Sequence, residues 1–214
     1  MRFESPGTHR RDFDIADDGF FDVRVFDVIL LLVPLDEYPL HGSIFEEINA
    51  VCVIGNETGD IPILSLPVVS HNKVWGNCLG VFLLSDIEAG GSGQITVQHN
   101  RVSANNNFCP VFEGFLPDLG GGGIVLAGSQ HDIIFQNIVT DNRGNTLFSG
   151  GIVLITNTLP NPDGSFDVSK DNLVALNKLS GNEPGDIVTD ATSTPNVFVR
   201  NRCDTSIPDG LCGF

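Results

Sequence analysis

Four of the eleven lysines and arginines recur at one position of a spaced pattern, each directly after an asparagine. They are Lys73, Arg101, Lys178 and Arg202, and Ile138 takes the corresponding place between the second and the third. If these positions stack, their charges form a column suited to an acidic polysaccharide, and in a β-elimination an Arg or Lys takes the proton alpha to a carboxylate. Stacked like charges repel. The alternative is therefore an ordinary solvated face that the acid-rich surface balances.

Two long loops hold the other candidate binding residues. Loop 106–122 contains Phe112, Glu113 and Asp118, an apolar ring with carboxylates that suit sugar hydroxyls or calcium. The alternative is that the ring packs onto the protein and the acids face water. Loop 155–171 contains Asp163 in a Pro-Asp-Gly turn, but a calcium loop needs several carboxylates at alternate positions. The catalytic residues stay unknown, and calcium is the only candidate cofactor.

A second column runs beside the cations and contains His71 and His99. Two imidazoles one repeat apart lack the third ligand that a metal site needs, so no metal site is predicted. The cysteines show no metal-binding spacing. Cys203 and Cys212 flank a Pro-Asp-Gly turn, and a disulfide and a pair of buried thiols fit that arrangement equally well.

Asparagines recur in pairs that are five residues apart. The pairs are Asn72/Asn77, Asn100/Asn105, Asn137/Asn142 and Asn177/Asn182, and Asn201 begins a fifth copy. Three residues before the first Asn come Val69, Val97, Ile134, Val174 and Phe198, and two after it come Val74, Val102, Val139, Leu179 and Cys203. The distance between successive pairs varies, so the extra residues fall in loops. This behaviour is typical of a solenoid.

The repeat predicts short strands separated by asparagine turns. Asn tolerates the left-handed backbone conformation, so we expect it to make the turns, and stacked amides to form hydrogen-bonded ladders. The sequence thus predicts an all-β protein, a right-handed parallel β-helix of about six coils over residues 46–214. Residues 1–45 are expected to form an irregular N-terminal segment or cap with at most a partial coil. An antiparallel sandwich does not explain the Asn spacing, and a leucine-rich repeat needs leucines that are absent here.

At these residues the chain resembles a known family. The segments ITVQHNRVSANN, DIIFQNIVTDNRGNTLFSGGIVLITN, NLVALNKLSGNEPGDIVTD and NVFVRNRCDTSIPDGLC resemble right-handed parallel β-helix proteins with pectate-lyase-like repeats, of the uncharacterised secreted bacterial type. The resemblance implies carbohydrate binding, or polysaccharide lyase activity, at the cell exterior. The alternative is a non-catalytic structural or adhesive surface β-helix, and the chain as a fragment of a longer solenoid is a further hypothesis. Whether the protein is an enzyme stays open at this point.

The charge and the N-terminal sequence limit the partners and the location. A net charge of −16 argues against nucleic acid and against an anionic membrane surface as partners. We expect a monomer. The N-terminal residues do not form a secretory signal, and no apolar stretch is long enough to span a bilayer. The expected location outside the cell therefore depends on the resemblance alone.

Overall fold

The computed structural model describes residues 21–22, 30–32, 51–55, 68–85, 93–110 and 117–213, and the regular elements in these ranges are β-strands. In chain order they are β1 (Phe21–Asp22), β2 (Leu30–Leu32), β3 (Val51–Gly55), β4 (Val68–Ser70), β5 (Asn72–Trp75), β6 (Leu79–Ser85), β7 (Thr96–Gln98), β8 (Arg101–Ser103), β9 (Phe108–Cys109), β10 (Leu119–Gly120), β11 (Gly122–Ala127), β12 (Ile133–Phe135), β13 (Ile138–Thr140), β14 (Gly150–Ile155), β15 (Leu173–Ala175), β16 (Lys178–Ser180), β17 (Ile187–Thr189), β18 (Val197–Val199) and β19 (Ser206–Ile207). The predicted boundary between segment 1–45 and the repeat region lies outside the described residues. Within the described part of the chain there is no apolar helix of the length needed to cross a membrane.

Three parallel sheets stack these strands in the order of the sequence. Sheet A has the order β1-β5-β8-β13-β16, sheet B the order β19-β17-β14-β11-β6-β3-β2, and sheet C the order β18-β15-β12-β7-β4. From β4 onward the chain visits sheet C, then A, then B, and then repeats this order. In the last repeat an isolated bridge between Lys178 and Arg202 continues sheet A. The prediction of an all-β protein with stacked parallel strands is confirmed.

The apolar positions that recur in the sequence lie in register in the sheets. Successive Cα partners in sheet C are Val69, Val97, Ile134, Val174 and Phe198, and those in sheet A are Val74, Val102, Val139 and Leu179. These side chains and the inward side chains of sheet B, such as Leu126, form one buried cluster, and Phe198 and Cys203 pack against it. Burying one such aliphatic side chain contributes about 1.5–3 kcal/mol, so the columns supply much of the driving force for folding.

Both predicted asparagine ladders are present. In the first ladder, the Asn137 side-chain oxygen accepts hydrogen bonds from the backbone amide and the side-chain amide of Asn100, at 3.0 and 3.1 Å. The same pair of bonds links the successive members Asn72, Asn100, Asn137, Asn177 and Asn201. The second ladder runs from Asn77 to Asn182 and ends on Asp186, whose other oxygen accepts the amide of Asp204. The ladders satisfy most of the buried polar groups at these corners, although the side-chain amide of Asn77 has no hydrogen-bond partner among the described residues.

The left-handed turn residue is not the asparagine, so that part of the prediction is wrong. Positive φ angles occur one residue earlier, at His71 (60°), His99 (56°) and Gln136 (53°) for the first ladder. Because the preceding residue makes the turn, each Asn lies at the start of the next strand, and the members from Asn100 onward are buried. The Asn is needed for its hydrogen bonds along the stack rather than for its tolerance of the left-handed region.

A third ladder was not predicted. It joins sheet B to sheet C and consists of Asp132, Asn172 and Asn196. Each of these lies five residues before a member of the first ladder, so the five-residue spacing itself was the signal. Ile95 replaces the polar residue in the preceding repeat and donates only its backbone amide, to Asp132. That interruption makes the third column hard to recognise.

Along its strands β6, β11 and β14, sheet B is buried on both faces. Its outer face carries Phe82, Val125 and Val153, which form a second buried cluster with Leu119 and Phe148. The short antiparallel pair β9 and β10 packs there, and the disulfide Cys78–Cys109 joins β9 to the residue before β6. A second disulfide, Cys203–Cys212, closes the C-terminal turn, so the disulfide rather than free thiols is found at that pair. No spacing or motif in the sequence indicated the first disulfide.

Candidate binding surface

The predicted cation column exists as a row of register partners along sheet A. Lys73 pairs with Arg101, Arg101 with Ile138, Ile138 with Lys178, and Lys178 with Arg202. Strand pairing places neighbouring members about 4.8 Å apart. Lys73 is half-buried and the other members are exposed. The sequence offset alone therefore predicted the register of this column.

Acidic residues are rare in the strands that form this surface. Strands β5, β8, β13 and β16 of sheet A and all the described strands of sheet C contain no Asp or Glu, although the chain has 27. In β1, at the end of the sheet, Asp22 is in register with Lys73. An acid-poor surface on a strongly acidic protein concentrates positive potential along one line, which favours an anionic ligand there.

Two histidines extend this surface at the corner between sheets C and A. The rings of His71 and His99 stack with centroids 5.1 Å apart and an interplanar angle of 9°. The Phe135 ring meets His99 edge-on, with centroids 6.3 Å apart. Among the residues that the structure describes, no three His, Cys, Asp or Glu side chains are grouped so that they could hold a metal ion.

The candidates from loop 106–122 do not join this surface in the described structure. Phe112 and Glu113 lie outside the described residues. Asp118 is exposed and directly precedes β10, whose Leu119 packs over the outer face of sheet B. The cation column and Asp118 therefore belong to different sheets, and only the column is assembled by the repeat.

Asp163 lies in a polar turn of the second long loop. Its carboxylate accepts hydrogen bonds from the Ser165 hydroxyl and backbone amide, at 2.6 and 2.9 Å. These bonds, led by the hydroxyl, lower the pKa of Asp163. A carboxylate that accepts its bonds from its own turn has an ordinary structural role, which the sequence left as the alternative to calcium binding.

A groove at the C-terminal end of the stack was not predicted. It has a volume of about 550 Å³, and its apolar lining includes Phe198, Ile207 and Leu211. Asp190 contributes a carboxylate to the lining. Burial acts to raise the pKa of Asp190, but hydrogen bonds from Thr156, Ser193 and Thr192 together have the larger effect. The pKa of Asp190 is therefore below its ordinary value. The carboxylate is therefore held in place by its own loop.

One buried acid lies inside the stack. Asp132 is 1% exposed, and burial raises its pKa to about 7 although bonds from the Ser129 hydroxyl and the Ile95 amide oppose the shift. It occupies a ladder position with its carboxylate inside the protein. Its place in the ladder gives it a structural role, not a role in ligand binding.

The column, the histidine pair and the acid-poor strands lie on the outer side of sheets A and C and the corner between them, and the charges of the column can attract an anion. The column offers point charges from lysine, planar guanidinium donors from arginine, and an apolar rung at Ile138.

In comparisons with protein-family models, curated proteins and solved structures, no match to this chain was found.

Proposed function

We propose that this chain is a right-handed parallel β-helix repeat protein that binds an acidic polysaccharide along the outer face of sheet A, outside the cell. The order in which the chain visits sheets C, A and B supports the β-helix. The three ladders of polar side chains at the corners support it as well. The right-handed sense follows the usual handedness of parallel strand connections.

The observation that carries the proposal is the cation column in register on an acid-poor face. Lys73, Arg101, Lys178 and Arg202 lie along the stacking direction, so a linear polyanion laid along that direction meets one rung after another. Each exposed charge pair is weak, about 0.2–1 kcal/mol. Several contacts made by one polymer act together, because the first contact raises the effective concentration of the next.

The disulfides support a location outside the cell. Cys78–Cys109 and Cys203–Cys212 are both bonded in the structure. Disulfides persist in oxidising environments and are rare in the cytosol. An acidic polymer of a cell surface or of the surrounding medium is the corresponding ligand class.

Binding assays on acidic and neutral polysaccharides test the proposal. We expect the protein to bind polygalacturonate or alginate and not neutral dextran, with affinity that falls steeply as salt is added. The double substitution Arg101→Gln and Lys178→Gln should weaken binding about tenfold, since each removes one exposed charge contact. Biolayer interferometry on immobilised polymer measures this.

The matched control removes the same charge elsewhere. Arg143 and Lys170 lie outside the column, and the double substitution Arg143→Gln and Lys170→Gln should leave the affinity within about twofold of wild type. If both doubles weaken binding equally, the attraction is general and the column is not the site. If no acidic polymer binds, the function is wrong.

A lyase version of the proposal uses the same column. Arg101 or a neighbouring member of the column, in its neutral form, would take the C5 proton alpha to the uronate carboxylate from within hydrogen-bond reach. The C4–O4 glycosidic bond would then break to leave a C4–C5 double bond, and water would protonate the departing oxygen. The test is the absorbance of the unsaturated product during incubation with each polymer. Binding without such a product supports a non-catalytic role on the same surface.

A second candidate is a structural or adhesive role, and the outer face of sheet C favours it. The exposed aliphatic residues Val68, Ile133 and Val197 are alternate members of one register row there, with Thr96 and Leu173 between them. Exposed apolar side chains in a row suit contact with another surface. Attachment of the protein to surfaces that lack acidic polymers would favour this candidate.

A further inference from the structure

We propose that His71 and His99 belong to the anion-binding surface and make ligand binding depend on pH, with tighter binding below neutrality. This inference rests on the proposed function. It adds two residues and a form of regulation that the cation column alone does not have.

The geometry groups four side chains into one patch. His71 precedes Lys73 by two residues and His99 precedes Arg101 by two residues, and Lys73 and Arg101 are Cα partners. Both histidines are exposed at the corner, in the left-handed conformation. The parallel rings, 5.1 Å apart, therefore continue the row of outward side chains from sheet A onto the corner.

The described charged residues beside the pair are two cations and one acid. Strands β5 and β8 contribute Lys73 and Arg101, and Asp22 of β1 is in register with Lys73 at the edge of the sheet. The adjoining strands β4 and β7 end in Ser70 and Gln98, which carry no charge. On the far side the His99 ring meets Phe135, and Gln136 occupies the next corner. Neither β12 nor β13 adds a charge.

Proton uptake and anion binding are coupled in such a patch. Histidine is the side chain whose charge ordinarily changes between pH 5 and pH 8. An anion that lies across the patch is attracted more strongly when the two rings carry protons. Ligand binding therefore favours protonation, and by linkage protonation favours ligand binding.

The experiment uses dextran sulfate, because its sulfate esters keep their charge throughout the pH range of the test. Wild-type protein should bind about threefold to tenfold more tightly at pH 5.5 than at pH 7.5, corresponding to two added exposed charge contacts. Isothermal titration in two buffers of different ionisation enthalpy should also show net proton uptake on binding at pH 6.5.

The test variant is the double substitution His71→Gln and His99→Gln. Glutamine already occupies left-handed positions at Gln94 and Gln136, so the backbone accepts it. The variant should lose most of the pH dependence, so that its affinities at pH 5.5 and pH 7.5 agree within about twofold. The control is His131→Gln, an exposed histidine in the left-handed conformation at the corner before sheet C, which should keep the wild-type pH dependence.

The outcomes separate the two proposals. Binding with no pH dependence, or with a pH dependence that the double variant retains, overturns the role of the histidines and leaves the proposed function intact. Absence of binding at both pH values overturns the proposed function and this inference together. Circular dichroism of each variant at both pH values verifies that the fold is unchanged.

Discussion

Sheet B differs from sheets A and C in how many of its faces are buried. Strand β11 of sheet B is buried at each of its six residues. In sheets A and C, strands such as β8 and β12 bury only the central residue, which faces the core. The same stack of repeats thus contains one sheet enclosed between two apolar clusters and two sheets that meet solvent on one side.

The difference separates the stabilising part of the molecule from the part that is open to ligands. A strand buried on both faces reads as a continuous apolar run, whereas a strand with one wet face alternates. Cys78–Cys109 and the pair β9 and β10 add to the cover of sheet B. Sheets A and C keep their outer positions exposed, and the candidate binding residues lie there.

The largest expected effect compares one outward position of sheet B with one of sheet C. Val125→Asp should destabilise the protein by about 4 kcal/mol or more, because Val125 is 0% exposed and the new carboxylate would be buried without a partner. Ile133→Asp should cost about 1 kcal/mol or less, because Ile133 is 38% exposed. Urea denaturation followed by circular dichroism measures both.

The milder change Val125→Ala keeps this comparison measurable if Val125→Asp does not fold. It should cost about 2 kcal/mol through lost burial and a small cavity. Equal losses for Val125→Asp and Ile133→Asp would contradict the difference between the two sheets.

Most of the inner architecture was predictable because it repeats. Val97 and Ile134 share one offset from Asn100 and Asn137, and a shared offset becomes a shared register once the strands are parallel. The same argument placed Arg101 and Lys178 on one row. What recurs in the sequence recurs in space, so periodicity was sufficient for the core and the cation column.

The parts that do not repeat were not predictable in this way. Nothing in the repeat fixes where the insertion containing Asp118 lies, and the partner of Cys78 is in that same insertion. The outer cluster did leave a signal, since runs such as 79–84 and 122–127 are continuously apolar. Reading those runs as strands buried on both faces would have indicated that the outside of sheet B is covered.

A smaller effect compares the buried and the exposed side of the corner between sheets C and A. Asn137→Ala should cost about 3 kcal/mol, because it leaves two donors of Asn100 and the carbonyl of Val97 without their partner. Gln136→Ala, one residue earlier and exposed, should cost less than about 1 kcal/mol, since Ala104 shows that alanine accepts this left-handed position. Similar losses for the two variants would mean that the ladder contributes little, and chemical denaturation decides it.

The smallest effect concerns Asp132, at the corner where enclosed sheet B meets exposed sheet C. Its pKa of about 7 lies above the ordinary 3.8, so the unfolded chain ionises first as the pH rises. The contribution of this carboxyl to the free energy of unfolding is therefore fully present below pH 4. It is lost as the pH rises from 4 to 7, and it stays low above pH 7. Asp132→Asn, which places there the residue found at Asn172, should match wild type at pH 4 and gain about 2 kcal/mol at pH 8.

The control for this pH effect is the exposed acid at the same corner of the next repeat. Asp171→Asn should change the unfolding free energy by less than about 0.5 kcal/mol at pH 4 and at pH 8, because its side chain remains in water. The difference between wild type and Asp132→Asn, measured by urea denaturation across this range, isolates one carboxylate from the other acids of the chain. If Asp132→Asn gains the same stability at pH 4 and at pH 8, the carboxyl of Asp132 does not cause the pH dependence. In its contribution to stability, this corner would then resemble the exposed sheets.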